Sequence, residues 1–434
     1  MEEKVEMQAG ICQQPYLVKK NTQMKTKLFF CTVLSFLLSI QNGSACSMFK
    51  ITKGSKTMVG NNEDYWNPNT RIWFEKGAGS KFGAMYVGFD NLYPQGGMNE
   101  AGLVFDGFSM DYLAVVDTVG KKSIGTDEDL FSFTKTILQT CSKVTEVKDF
   151  LLKYNLESFH SSLFFFVDKS GQYLIMEGDS LIVGNDPTYI QSNFYPSCTK
   201  DANKVNIDFY QKGRKYLKEN TADTSLAYCT NMMNAMHQDF GKYGGSLYTT
   251  IYDLESGKIY LYYHFDYETV VTFDLNEELK KGNTSINIPE LFPKNAIAQK
   301  QLEQYNKIGA SIQFLDNPSL SNDSIKLQAL IAQVIKTKPD FRFESEINAI
   351  GYKWLREYNN VEIAIQVFKL NVQLFPKSSN VFDSLGEAYL KNGQKKEAIV
   401  NYKKSLKLEK KNSNPDIQRE KLKKLFELEN DKME

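Results

Sequence analysis

From residue 46 to about residue 279 the chain is a succession of short, aromatic-rich runs of strand length separated by turn residues, and this pattern restricts the fold more than any other feature. Runs such as Phe164-Phe165-Phe166 and Tyr260-Leu261-Tyr262-Tyr263 put large side chains at consecutive positions. Such runs suit strands that are buried on both faces or lie across a pocket. Strands are expected at 48–51 and 56–60, either side of a Lys-Gly-Ser-Lys turn, and at 84–89, 103–108, 162–167, 173–177, 181–184, 190–194, 248–253, 258–265 and 269–273. Two helical stretches, 129–153 and 205–238, fall between them. Antiparallel strand runs separated by helical segments predict stacked sheets with helices outside, an α+β arrangement.

The pattern changes from Ile286 onward, where residues 296–312 and 322–337 read as amphipathic helices joined by Asp316-Asn317-Pro318. A repeat follows: Ala364 and Phe368 recur as Ala398 and Tyr402, both at an offset of 34 residues, with Pro376 closing the first unit. Leu385, Gly386 and Tyr389 supply the small and aromatic positions of the second unit. The period is that of tetratricopeptide repeats. Isolated repeats cannot bury their faces alone, so the helices at 296–337 and 415–428 are expected to act as neighbours or caps. The expected organisation is a leader at 1–45, an α+β domain at 46–285, a helical linker at 286–343 and an all-α repeat domain at 344–434.

The leader reads from Met24, with Lys25 and Lys27 before an apolar run from Leu28 to Ile40 and a small-residue cleavage site at Gly43-Ser44-Ala45. At thirteen residues, this run falls short of the roughly 20 that span a bilayer. Export to a periplasm or the extracellular space, without an integral membrane span, is therefore expected. The rival is a lipoprotein anchored through an acylated Cys46, although Gly43 occupies the position where such signals carry an aliphatic residue. Cleavage after Ala45 would leave 389 of the 434 residues and make Cys46 the first of them. A terminal cysteine carries a thiol and a free α-amine, a nucleophile with its own base.

Fifty-two basic residues balance fifty-two acidic ones, so no global field points to nucleic acid or an anionic membrane. Outside the leader only Cys46, Cys141, Cys198 and Cys229 occur, too few for a disulfide framework if Cys46 is free. His160, His237 and His264 are scattered and there is no phosphate-cradling glycine loop, so neither metal nor cofactor is expected. Gly178-Asp179-Ser180-Leu181 matches an esterase signature but is placed as a hairpin turn, with no downstream Asp-x-x-His.

Around the cysteine the sequence runs Cys46-Ser47-Met48-Phe49-Lys50-Ile51, then Gly60-Asn61-Asn62-Glu63-Asp64-Tyr65-Trp66. Three further segments follow in order: Gly97-Met98-Asn99-Glu100-Ala101-Gly102-Leu103, Gln191-Ser192-Asn193-Phe194-Tyr195-Pro196 and Leu247-Tyr248-Thr249-Thr250-Ile251-Tyr252-Asp253. Together they resemble the N-terminal nucleophile hydrolases of the choloylglycine hydrolase, acid ceramidase-like and penicillin acyltransferase group, also called linear amide C–N hydrolases. The resemblance covers residues 46 to about 280. It implies a four-layer αββα sandwich in which Cys46 is nucleophile and base, Asp64 orients it, and Asn193 donates to the oxyanion. Asn61, Asn62, Asn99 and Arg214 would be supporting or substrate-binding residues. Asn61 stands where the bile-salt and penicillin-cleaving members carry arginine, and Arg71 or Arg214 are the candidates to replace that charge.

The function this implies is an exported amidase that cleaves linear amides of small N-acyl substrates through an acyl-thioester. An acyltransferase of the same class differs only in the acceptor that resolves the thioester. A non-catalytic surface protein that binds a protein partner through its repeats is the reading from a different class.

Overall fold

The computed structural model describes residues 46–115, 121, 122, 124, 127–409, 422, 423, 425, 426 and 428. The expected leader, its cleavage site and most of the expected cap at 415–428 lie outside the described residues. In chain order the first six strands are β1 (Ser47–Lys53), β2 (Lys56–Tyr65), β3 (Thr70–Glu75), β4 (Ala84–Phe89), β5 (Pro94–Asn99) and β6 (Val104–Ser109). Helices α1 (Asp127–Thr140) and α2 (Val144–Leu151) lead to β7 (Ser162–Val167), β8 (Tyr173–Glu177), β9 (Ser180–Gly184) and β10 (Thr188–Ser192). After α3 (Asp208–Glu219) and α4 (Leu226–Met236) come β11 (Gly245–Asp253), β12 (Lys258–Tyr263), β13 (Asp266–Asp274), α5 (Leu275–Lys280), β14 (Thr284–Asn287) and α6 (Ile288–Leu291). The remainder is helical: α7 (Ala296–Gln313), α8 (Ser324–Thr337), α9 (Glu344–Arg356), α10 (Val361–Leu374), α11 (Ser379–Lys391) and α12 (Lys395–Leu408).

The strands form two sheets, one of six in the order β10-β1-β2-β11-β12-β13 and one of eight in the order β14-β3-β4-β5-β6-β7-β8-β9. Every strand pairing is antiparallel. Their inner faces share one core, in which Met48, Val59, Tyr248 and Leu261 from the first sheet meet Met85, Met98, Val104 and Phe165 from the second. On the outside of the first sheet, Phe49, Ile51 and Ile251 pack on Tyr210, Met232 and Met236 of α3 and α4. On the outside of the second, Phe105, Phe164 and Phe166 pack on Ile137, Val144 and Val147 of α1 and α2. The run Phe164-Phe165-Phe166 is thus explained: the middle ring faces the other sheet and its neighbours face the helices, each fully buried ring contributing about 1.5–3 kcal/mol.

The β1–β2 hairpin sets the geometry of the site. Its turn is Gly54-Ser55, with Gly54 at φ +62°, a conformation that suits glycine. The turn pairs Lys53 with Lys56 and carries the register back to Ser47 opposite Asn62. The expected helices at 129–153 and 205–238 are each broken in two. Glu146 accepts hydrogen bonds from the Ser142 amide and hydroxyl (2.7 and 2.9 Å) and Asp168 accepts from the Val144 amide (2.9 Å), which caps a new helix after Ser142. At the start of α4 the N-cap Ser225 does this with its own hydroxyl, which accepts from the Tyr228 amide. Strand β5, Pro-Gln-Gly-Gly-Met-Asn, carries little strand propensity. It pairs on both sides because Gly96 leaves room for the Asp106 carboxyl, which a Cβ would meet at 2.6 Å.

Strand β14 pairs with β3, and Ile288, Phe292 and Ala298 belong to the inter-sheet core. The sandwich therefore extends past the boundary expected at 285. Beyond it, α9–α10 and α11–α12 are consecutive helix pairs. In each, a glycine of the first helix receives an aromatic ring of the second: Gly351 takes Phe368 and Gly386 takes Tyr402. Trp354 is fully buried and its Nε1 donates to the Leu315 carbonyl at 2.8 Å, tying α9 to the preceding helices.

Candidate active site

Cys46 precedes β1 at one end of the sandwich, 5% exposed and packed in the inter-sheet core. Its neighbours follow from register. With Ser47 opposite Asn62 on one side and opposite Ser192 on the other, Cys46 falls opposite Glu63 of β2 and Asn193 at the end of β10. Asp64 follows on β2, where it pairs with Ser246 of β11. The Ser192 hydroxyl donates to the Cys46 carbonyl at 2.9 Å and holds the cysteine backbone in place.

Asp64 is fully buried. It accepts hydrogen bonds from the Ser246 hydroxyl and from Gln238 Nε2, the latter at 2.7 Å. Ser246 and Gln238 also bond to each other, the Gln238 amide donating to the Ser246 hydroxyl and the Ser246 amide to the Gln238 carbonyl, both at 2.9 Å. Burial pushes the Asp64 carboxyl well up, against the pull of these two donors. Its backbone amide points at the Cys46 sulfur and favours thiolate. Asn193 donates from Nδ2 to the Ser109 carbonyl at 2.8 Å, which clamps its side chain between the two sheets beside Cys46. Tyr195 spans the same gap, its hydroxyl donating to the Asp111 carbonyl at 2.7 Å.

The other expected residues separate. Asn61 is fully buried on the inner face, and neither its side-chain oxygen nor its nitrogen has a hydrogen-bond partner among the described residues. Asn62 points the other way: its Nδ2 donates to the Met233 carbonyl (3.1 Å) and its Oδ1 accepts from Thr249 (2.6 Å) and Tyr267 (3.2 Å). It fastens β2 to β11 and α4. Asn99 lies elsewhere. It spans the outer face of the second sheet, with Nδ2 donating to the Leu138 and Cys141 carbonyls and Oδ1 accepting from the Leu103 amide, which uses its polar atoms structurally. Arg214 sits on α3 outside the first sheet, bonded to Asn203 at 3.0 Å and stacked on Tyr210. It lines a separate cavity of about 270 Å³ with Ile190, Phe194 and Pro196, and does not replace the missing charge. Arg71 pairs with Asp90 at 2.8 Å on the second sheet.

Sequence reasoning missed Glu63. Its carboxyl reaches toward the Cys46 thiol and the Tyr248 hydroxyl, and burial raises its pKa to about 8 against the pull of both. Asp106 faces it from the second sheet, its carboxyl pushed well up by burial and then by Glu63. The Cys46 thiol is raised well above its usual value, first by burial and then by Glu63, Asp106 and Asp64; no cationic side chain is among the groups acting on it. A bulge at Ser246–Tyr248 aligns the pieces, letting Ser246 serve Asp64 while Leu247 and Tyr248 both enter the core. The signal for Glu63 was available: the two-residue turn fixes the register that sets it opposite Cys46.

The helical region touches this end of the sandwich. Phe341 packs on Trp66, which stacks on Tyr65 directly after Asp64, and on Tyr243, in the loop that carries Gln238 (5.2, 4.3 and 5.5 Å between ring centres). Arg342 lies over Tyr243 and Tyr305 (5.6 and 5.3 Å). Gln301 Nε2 donates to the Gly241 carbonyl in the same loop at 3.0 Å.

Fold and site together define a four-layer α+β sandwich with a buried thiol at the head of an inner strand, flanked by carboxyls and an amide. No family model matches this sequence, and no curated protein does. Solved structures do match it, among them a penicillin V acylase from Agrobacterium tumefaciens, 14% identical, with a TM-score of 0.43 over 55% of this chain and 90% of that chain. A likeness at that score carries no argument about function. Among the described residues, no helix is long and apolar enough to cross a membrane.

Proposed function

We propose that the protein is an amide hydrolase of the N-terminal nucleophile kind, acting on linear N-acyl amides through Cys46. What supports this reading is the strand register at the head of β1, where Cys46 lies across from Asn193 on one side and from Glu63, the neighbour of Asp64, on the other. The thiol sulfur attacks the amide carbonyl, a base takes the thiol proton, and Asn193 with nearby backbone amides stabilises the oxyanion. The leaving nitrogen takes a proton as the C–N bond breaks, and water then resolves the thioester. The α-amine of Cys46, free once the leader is removed and held by Asp64, exchanges protons with the leaving nitrogen and the attacking water.

The same reading makes the protein exported, with the leader ending at Ala45, and makes α9–α12 a pair of tetratricopeptide-like repeats that offers a groove to a protein partner. The two glycine–aromatic contacts at corresponding places of the two helix pairs support the repeat assignment. The test is turnover of a panel of N-acyl aminocoumarins, from short to long alkanoyl and arylacetyl, by the secreted protein and by Cys46→Ala. Hydrolysis lost in the variant supports the reading; equal hydrolysis by both refutes it. A wild type that cleaves none of them, with a Cys46 inert to iodoacetamide at neutral pH, returns the protein to the binding reading.

A further inference from the structure

The two inner faces meet in a polar seam that the mechanism above does not use. Asn61, Glu63, Asp106, Tyr248, Thr250 and Tyr252 are all almost fully buried between the sheets. Pairing puts Glu63 beside Tyr248, Asn61 beside Thr250, and Asp106 between Gly96 and Phe165 on the facing sheet. Only long or bent contacts serve most of these side chains, Glu63 with Cys46 and Tyr248, Tyr252 with Thr250, and Asp106 with the Gly107 amide, while both polar atoms of Asn61 have no partner among the described residues. Leaving a buried polar atom unpaired costs about 1–3 kcal/mol. Such a seam in the middle of an apolar core calls for a purpose.

We infer that Glu63 is a catalytic proton acceptor for the Cys46 thiol, backed by the polar seam, and that the α-amine of Cys46 handles the other proton transfers; this rests on the amide-hydrolase reading above. The geometry divides the labour. Glu63 lies opposite Cys46 on the inner, closed side, whereas the amine would project at the strand end beside Asp64. In the first step the sulfur–carbon bond forms and the thiol proton passes to the Glu63 carboxylate. The C–N bond then breaks and the leaving nitrogen takes a proton from the Cys46 α-ammonium. Water attacks the thioester and gives its proton to the α-amine; the sulfur–carbon bond breaks and the sulfur recovers its proton from Glu63. The sum is amide plus water to carboxylic acid plus amine, with both groups restored.

The groups facing Glu63 are Cys46 from β1, Asp64 and Tyr65 on its own strand, Tyr248 and beyond it Tyr252 from β11, and Asp106 from β6. All are neutral or anionic. The ionised Glu63 and the thiolate therefore exclude each other, and the pair gives up its first proton near pH 8 and its second far above it. A free α-ammonium on Cys46 draws the first of these downward. Asn61, in place of a cation, fits this arrangement: a fixed positive charge would favour thiolate and leave Glu63 no proton to take.

The test uses the mature protein and Glu63→Gln, which keeps shape but cannot take a proton, with Glu63→Asp as the conservative rescue. Two rates are measured from pH 6 to 10: alkylation of Cys46 by iodoacetamide, read by intact mass, and kcat/KM on the best aminocoumarin amide. Removing the anion should speed alkylation about tenfold at pH 9 and leave it unchanged below pH 7, where the carboxyl is protonated. Amide turnover should fall by about 10²- to 10³-fold and lose its rise toward pH 8, with partial recovery in Glu63→Asp. Alkylation and turnover moving the opposite way from each other is what a merely structural Glu63 would not produce. An unchanged alkylation profile, or both rates falling together, overturns the inference. A wild type that turns over no amide while alkylation responds as stated refutes the hydrolase reading and, with it, the acceptor role, but leaves the coupling of the two groups established.

Discussion

Replacing Glu63 by Gln should stabilise the protein, and more so as pH rises. Glu63 is 3% exposed and its pKa moves from the ordinary 4.5 to about 8 on folding. The folded state therefore binds more protons than the unfolded chain between those two values, so this group makes stability fall as pH rises through that window. At about 1.4 kcal/mol per pH unit the full span amounts to about 5 kcal/mol, reached near pH 8; relaxation around the carboxyl brings the expected difference to about 2–5 kcal/mol. Gln fills the same space and does not titrate. Urea unfolding of both proteins at pH 5, 6, 7 and 8 should give midpoints that nearly coincide at pH 5 and separate steadily to pH 8, with the variant higher. Asp64 and Asp106 are also raised, in part by Glu63 itself, so removing its charge eases both and adds to the difference in the same direction. Parallel midpoints at all four pH values would show that Glu63 is not buried as described, and would remove the physical basis of the polar seam.

Other outcomes follow from the same contacts. If its amide serves the oxyanion as proposed, Asn193→Ala should lower kcat for amide hydrolysis by about 10²- to 10³-fold while KM changes little; a change confined to KM would assign it to ground-state binding. Gln238→Ala should cost about 1–3 kcal/mol in urea unfolding by leaving the Asp64 carboxyl short of a donor, and should slow turnover. Phe341→Ala empties the contact on Trp66 and Tyr243 and should reduce kcat several-fold with the helical region still folded by circular dichroism; unchanged kinetics would show that the helical region does not brace the site. Trp354→Ala should destabilise the helical region by about 3–5 kcal/mol and leave Cys46 alkylation as in the wild type.

Much of this was legible in the sequence because strands buried on both faces leave a strong signature. The strands at 84–89, 162–167 and 173–177 fall where their aromatic and branched residues place them. The helix breaks were not legible, since the Glu146 and Asp168 caps act across a loop or from a distant turn. Nor was β5, whose residues have weak strand propensity and which depends on a glycine that admits a facing carboxyl. For the site, chain order is enough to bring Cys46, Asp64 and Asn193 together, because hairpin and edge-strand register convert sequence spacing into position. Asn62 and Asn99 show what spacing alone does not tell, because alternation along a strand decides the face: each lies one residue from the inner face, with its amide donating to helix or loop carbonyls and its oxygen accepting from a neighbouring strand or turn. Arg214 was displaced for a related reason, being on the outer helix layer. Glu63 was passed over because a carboxylate next to an aspartate reads as surface charge until the register turns it inward.

The most direct test of the central claim is the intact mass of the secreted protein, quenched in acid during turnover of an N-acyl aminocoumarin. The account predicts a chain that begins at Cys46 and carries one acyl group, released by hydroxylamine and absent from Cys46→Ala. A chain that retains residues before Cys46, carries lipid on it, or turns substrate over without ever bearing the acyl group would contradict it.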